Sequence, residues 1–161
     1  MEKATARDLL ADQQGEELLR LDRQVCFALH ATSRAFDAMY RPLLRDLGLT
    51  YPQYLVMLAL WEHGTLTVKE LGLALRLDSG TLSPLLKRLE TADLVRRKRS
   101  TRDERSVTVS LTGPGEALKR RAVAVPARIL EASGLSEEEL VALRRSLERV
   151  TAALDAASGR F

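Results

Sequence analysis

The sequence predicts a mainly α fold with a small β-hairpin wing, on three observations. Apolar residues step by three and four through long stretches at both ends of the chain. One short stretch, SVTVSL, alternates in steps of two. Just before it, residues 96–105 read RRKRSTRDER, a run of cations in the middle of the chain. Steps of three and four line one face of a helix, steps of two one face of a half-buried strand.

The elements follow in order. Leu18, Leu21, Val25, Leu29, Thr32, Phe36, Met39 and Leu43 predict one amphipathic helix from about 16 to 46. Gly48 ends it, and Thr50 with Gln53 forms a capping box around Pro52 that starts a second helix through LVMLALWEH, closed by Gly64. Thr67 with Glu70 caps a short third helix, VKELGLAL, and Asp78 caps a fourth, SGTLSPLLKRLETA. Residues 94–111 read as a two-stranded hairpin whose tip is the cationic run, with Val107, Val109 and Leu111 facing inward. Thr112 and Pro114 reopen helix to about 132. Ser136 with Glu139 then caps a last helix on Leu140, Leu143, Leu147, Val150 and Leu154, spaced for a coiled-coil-like seam. There is no internal repeat, low-complexity tract or interdomain linker.

Composition sets the class. The chain has 161 residues, 45% hydrophobic and 29% charged, ordinary values for a globular protein that can bury a core. No apolar run approaches a membrane span, and MEKATARDLLADQQGEELLR lacks the apolar centre of a signal peptide, so the expectation is a cytoplasmic protein with no membrane partner. A single cysteine permits no internal disulfide, in keeping with a reducing compartment. No metal site or cofactor is expected. His30 and His63 are the only histidines, and no carboxylates accompany them and Cys26 at ligand spacing. The net charge of +3 says little about partners; its concentration in residues 96–105 says more.

Two short helices followed by a hairpin with a cationic tip form a winged helix-turn-helix, and its parts suit double-stranded DNA. The fourth helix opens with Ser79, Gly80, Thr81 and Ser83, small side chains able to approach a groove floor and bond bases or phosphates. Lys87 and Arg88 follow for the phosphate backbone. Arg102 or Arg105 in the wing would enter the neighbouring minor groove, where the potential is most negative. A winged helix used only for protein contact would need neither the small-residue helix start nor the cationic wing.

The stretch LTVKELGLALRLDSGTLSPLLKRLETADLVRRKRSTRDERSVTVSLT resembles the DNA-binding lobe of the MarR family of bacterial repressors, including a D-x-R wing signature at Asp103 and Arg105. QVCFALHATSRAFDAMYRPLLRDLGLTYPQYLVMLALWEH is similar to the sensing region of the organic-hydroperoxide repressors within that family, one-cysteine type. The likeness spans roughly residues 20–130. It implies a homodimer knotted by its first, fifth and sixth helices, holding two recognition helices and two wings over a palindromic operator. The implied division is a polar, frayed segment 1–15, sensing and dimerisation helices 16–63, a DNA-binding lobe 64–111 and C-terminal dimerisation helices 112–161.

The resemblance also gives the lone cysteine a role. Without the flanking match Cys26 reads as a small core filler; with it, as a peroxide-reactive thiolate bonded by phenols that match Tyr40 and Tyr51. A free thiol is mostly protonated at neutral pH, so a sensing cysteine needs donors that favour its charged form. Cys26 and Tyr40 are fourteen residues apart on one predicted helix, hence roughly 21 Å between α-carbons, and a phenol that meets the sulfur must come from the other subunit. Tyr40 and Tyr51 would otherwise be interface aromatics. His30 lies on the same helical face as Cys26 and departs from the subfamily, which often has a phenol there. A sulfenic acid at Cys26 has no second thiol in its own chain and would need a low-molecular-weight thiol, the partner's cysteine or further oxidation. Two other readings stand beside this one: a MarR-type repressor gated by a small aromatic or phenolic acid, and a thiol-dependent peroxidase, for which the basic wing has no purpose.

Overall fold

A computed structural model of the chain describes residues 17–99 and 106–159. The expected frayed segment, residues 1–15, and the wing residues Arg102, Asp103 and Arg105 lie outside the described residues. The described chain carries a 3-10 turn, Leu21–Arg23, then α1 (Val25–Arg45), α2 (Tyr51–His63), β1 (Leu66–Thr67), α3 (Val68–Leu75), α4 (Ser79–Thr91), β2 (Val95–Arg99), β3 (Val107–Leu111), α5 (Gly113–Ala122), α6 (Ala124–Ser133) and α7 (Glu137–Ser158). Two compact units divide it, Met1–Met39 and Tyr40–Phe161.

In the first unit the single long helix expected from about 16 is interrupted. Leu21–Arg23 forms a 3-10 turn, and α1 begins at Val25. Local polar bonds explain the break: Arg20 pairs with Asp22 at 2.8 Å, and the Gln24 amide donates to the carbonyls of Leu18 and Arg20, which competes with the helical ladder. The apolar period runs through the interruption because period reports a face, not continuity. That face is open in the single chain. Leu21 and Val25 are exposed, as is the thiol of Cys26, so the cysteine is not core filler within the chain.

The second unit is a winged helix-turn-helix with a three-stranded antiparallel sheet of order β1-β3-β2. In β2 and β3 the register sets Val95 opposite Leu111, Arg97 opposite Val109 and Arg99 opposite Val107. The hairpin is the expected one. The sheet's third member, β1, was not expected: two residues pair Leu66 with Val109 and Thr67 with Thr108, too short a segment to show a period.

The helices start where their caps sit. Thr67 accepts from the Glu70 N–H at 3.1 Å while the Glu70 carboxylate accepts from the Thr67 N–H at 2.7 Å. Ser136 and Glu139 form the same reciprocal box at α7, and the Thr50 N–H donates to the Gln53 side chain at α2. The core is centred on α2, where Val56, Met57 and Leu60 are fully buried. Leu71 of α3, Leu82, Leu86 and Leu89 of α4, Val95 and Val109 close around it. Each such side chain contributes about 2 kcal/mol on leaving water. Leu82, Leu86 and Leu89 step by four and three, so α4 has one anchored stripe and its remaining circumference free.

The helix expected from 112 to 132 is two, divided at Val123. Pro126 explains the division: it has no N–H for the Ala122 carbonyl, and its ring crowds that same carbonyl. The start of α5 is tied to the wing root. Thr112 Oγ1 donates to the Asp93 carbonyl at 2.5 Å and accepts from the Gly115 N–H at 3.1 Å. A Cβ at Gly115 would stand 2.0 Å from the Leu94 carbonyl oxygen, so only glycine lets these backbones meet. Among the described residues no helix is long and apolar enough to cross a membrane.

Gly115→Ala is therefore expected to cost about 1–3 kcal/mol by overpacking. Gly113→Ala, where a Cβ meets nothing within 4 Å, serves as the control and should leave the melting temperature nearly unchanged. Equal melting temperatures for the two variants in thermal unfolding would show that the close approach at Leu94 is not required.

Candidate functional site

The exposed face of α4 is built from its cap. Asp78 accepts from the Thr81 N–H at 2.9 Å and from the Thr81 hydroxyl at 2.8 Å, and these two donors hold its carboxyl below the usual carboxylate range. A Cβ at Gly80 would approach Asp78 Oδ1 to 3.0 Å, which makes glycine the natural neighbour of this cap. Ser83 Oγ donates to the Ser79 carbonyl at 2.8 Å, leaving the hydroxyl oxygen free to accept. Because Leu82, Leu86 and Leu89 face the core, the opposite side of α4 centres on Gly80, Pro84 and Lys87. Ser79 and Ser83 flank that side on one edge, Thr81 and Arg88 on the other, and all six predicted residues of this helix are exposed.

In the wing the cations divide by what stands opposite them. Arg96, Lys98 and Arg99 are exposed. Arg97 faces α4: its Nε and Nη2 donate to Glu90 Oε2 at 2.9 and 2.6 Å, and its N–H donates to Glu90 Oε1 at 3.1 Å. The Arg97 guanidinium holds the Glu90 carboxyl below its ordinary value. Glu90 thereby fastens the wing's first strand to the end of α4, a role for one cation of the basic run that the sequence reading did not assign. The signal was present: Arg97 sits two residues after Val95, on the inward phase of β2, opposite the buried Val109.

Cys26 and His30 belong to the first unit, the tyrosines to the second. Cys26 is the second residue of α1 and is exposed; the first turn holds no acidic side chain. The positive end of the helix dipole favours negative charge there. His30 is exposed one turn further on. Tyr40 and Tyr51 are brought together with ring centroids 4.7 Å apart, and Tyr54 joins Tyr40 at 6.1 Å. Burial, then the neighbouring Tyr51 and Tyr54, push the Tyr40 phenol up to about 12, so it is a neutral donor at any physiological pH. Tyr54, almost fully buried and edge-on to Trp61 at 6.3 Å, is also raised by burial. Tyr54 thus backs Tyr40. Among the described residues no group of three His, Cys, Asp or Glu is arranged to hold a metal ion.

A family model described as transcriptional regulator SarA/Rot matches residues 38–121. The organic hydroperoxide resistance transcriptional regulator of Bacillus subtilis is 54% identical over 129 residues, spanning 80% of this chain and 88% of that protein. Among solved structures, reduced AbfR of Staphylococcus epidermidis bound to DNA is 36% identical with a TM-score of 0.73, covering 89% of this chain and 99% of that one. A disulfide-formed AbfR is similar at a TM-score of 0.61 and 36% identity, over 85% and 96% of the two chains. These relatives are transcriptional regulators, not enzymes.

The lowered carboxyls predict an acid limit to stability. Asp78, Glu70 and Glu90 have folded values below their ordinary 3.8 and 4.5, so their contribution is complete above those values and is lost as pH falls through the folded ones. Asp78→Ala should melt at a lower temperature than the wild type at pH 7, with the gap closing below about pH 4. A gap independent of pH in thermal melts would show that the cap's charge is not what stabilises α4.

Proposed function

Because this chain belongs to the MarR/SarA family of transcriptional regulators, we propose that it is a homodimeric repressor that holds a palindromic operator until an organic hydroperoxide oxidises Cys26. The observation that carries the proposal is the position of the chain's one thiol, exposed at the positive end of α1 in a fold made to bind DNA. In this reading α4 lies in the major groove. Ser79, Gly80, Thr81 and Ser83 approach the base edges, Lys87 and Arg88 meet phosphates, and Arg102 or Arg105 enters the minor groove beside Asp103. Two copies related by a two-fold axis read half-sites about one helical turn apart. Exposed Leu21, Val25 and Leu29 in one unit, and Leu143, Leu147 and Val150 on α7, are the apolar surfaces a second copy would cover.

In the sensing step the Cys26 thiolate attacks the terminal oxygen of the hydroperoxide. The O–O bond breaks, the alkoxide leaves and takes up a proton as the alcohol, and the sulfur becomes a sulfenic acid. Resolution by a low-molecular-weight thiol, by the partner subunit's Cys26 or by further oxidation completes the change. Tyr40 of the partner subunit, a phenol that keeps its proton at neutral pH, supplies a hydrogen bond to the thiolate, with Tyr51 as the second donor. His30 stands one turn from the sulfur where it bears on the same charge.

A second reading is favoured by one cavity. Tyr54, Leu58, Trp61, Glu62, Lys119 and Pro126 line a pocket of about 320 Å³, mostly apolar with one cation and one carboxylate, which suits a small aromatic or phenolic ligand. Operator binding measured with and without cumene hydroperoxide, followed by intact mass, separates the two: release with an oxygen or thiol adduct supports the redox sensor. Cys26→Ser should keep operator affinity and lose peroxide-driven release, since a hydroxyl does not climb the oxidation ladder. Release of the serine variant at the same peroxide dose would pass the role to the pocket.

The shared site has its own test in a mixed dimer, one subunit carrying both Cys26→Ser and Tyr40→Phe and the other wild type. Its remaining sulfur faces phenylalanine if the phenol is supplied in trans, so oxidation should slow. Wild-type reactivity there would rule out the partner's Tyr40 as donor.

A further inference from the structure

We propose that Arg76 and Asp155 form a positioning pair that holds the start of the recognition helix α4 against the C-terminal helix α7, an inference that rests on the DNA-binding reading above. Each residue is locally out of place. Arg76 ends α3 in a left-handed conformation, φ 56 and ψ 39, a backbone that favours glycine or asparagine. Asp155 puts a carboxylate in the last turn of α7, at the negative end of the helix dipole, in a turn with no basic residue. Placed together they explain one another: Arg76 Nη2 donates to Asp155 Oδ2 across 79 residues of sequence. The carboxylate is three-quarters buried, at 25% exposure, so the pair is less open to solvent than an ordinary surface ion pair.

The pair lies next to the reading head. The Leu77 N–H donates to the Gly72 carbonyl at 2.9 Å, closing the turn after α3, and Asp78 then caps α4 through Thr81. Two peptide links thus separate Arg76 from the residue that starts the recognition helix. On the other side, Asp155 follows Leu154, an exposed apolar residue on the α7 face that a second copy would cover. The pair therefore joins the surface that sets dimer geometry to the turn that aims α4, and a movement of α7 reaches the DNA-facing residues without passing through the core. Arg76 acts through Asp78 and α4; it is a positioning residue and not a base or phosphate contact.

The test uses the full chain and Asp155→Asn, which keeps shape and removes charge, with Asp155→Glu as the conservative rescue. In the free protein, Asp155→Asn should speed amide hydrogen exchange over residues 77–82 several-fold, with unchanged circular dichroism, and Asp155→Glu should restore protection. The DNA probe is a duplex selected by the wild-type protein from a randomised library. Asp155→Asn should bind it about tenfold more weakly while its affinity for random duplex stays the same, and it should lose less than the wild type when one base pair is inserted between half-sites. Unchanged exchange over 77–82 would overturn the pair whatever happens with DNA. A rise in affinity for every duplex would overturn it too, by showing that Asp155 merely withholds Arg76 from phosphates. If the wild type selects no duplex, the DNA-binding reading fails, and the exchange measurement still decides the pair.

Discussion

In α2, Val56, Met57 and Leu60 keep no solvent exposure and Tyr54 keeps 2%, so a helix of 13 residues is enclosed along most of its length. The elements that matter for DNA are packed on it: α3, α4, α5 and β3 all contact it. Polar bonds fix its far end as well, because Trp61 Nε1 donates to the Gly115 carbonyl at 2.9 Å and Lys119 Nζ donates to the Trp61 carbonyl at 3.0 Å. Interiors packed at crystal density do not deform smoothly. A displacement of α2 is thus passed on to α4 and the wing rather than absorbed. The clustered phenols at the other end of α2, Tyr40 against Tyr51 and the buried Tyr54, touch this same rigid body.

Around that core, charge is used in two ways. Glu90 with Arg97 and Asp78 with Thr81 place charged or polar groups where they hold elements together. Arg96, Lys98, Arg99, Lys87 and Arg88 remain exposed and cationic on the wing and on α4. Phosphate contacts position a protein on DNA without reading sequence, and in the proposed complex the small residues of α4 supply the part that reads. A net charge of +3 is enough for such a protein because the cations are concentrated on the elements that face the groove.

The thiol and the reading head lie in different parts of the chain, and they call for opposite surroundings. A peroxide sensor needs an exposed sulfur; Cys26 has that at the second residue of α1. A donor to that sulfur needs to keep its proton, and the Tyr40 phenol, pushed up to about 12, does so. In the proposed mechanism, α2 and the turn from Arg76 to Asp78 are the elements of the second unit that carry a redox signal to α4.

What could be read from the sequence was whatever depends on near neighbours. The capping boxes at Thr50, Thr67 and Ser136 and the cap at Asp78 are contacts across three residues, so four helix starts were legible. The period-two phase of β3 and the leucine stripe of α4 were legible because the spacing of side chains on a strand or helix is fixed by backbone geometry. The residues of α4 expected to face DNA were legible for the same reason: Ser79, Gly80, Thr81, Ser83, Lys87 and Arg88 all fall off its leucine stripe and are exposed. The interruption at Leu21–Arg23, the division at Val123 and the two-residue β1 were not legible, since each turns on a competition between local bonds or on a partner far along the chain. Glu90 with Arg97, Gly115 against Leu94, and Arg76 with Asp155 were decided by tertiary structure alone. The physical reason is that periodicity says which face a residue occupies, while only the folded packing says what stands opposite it.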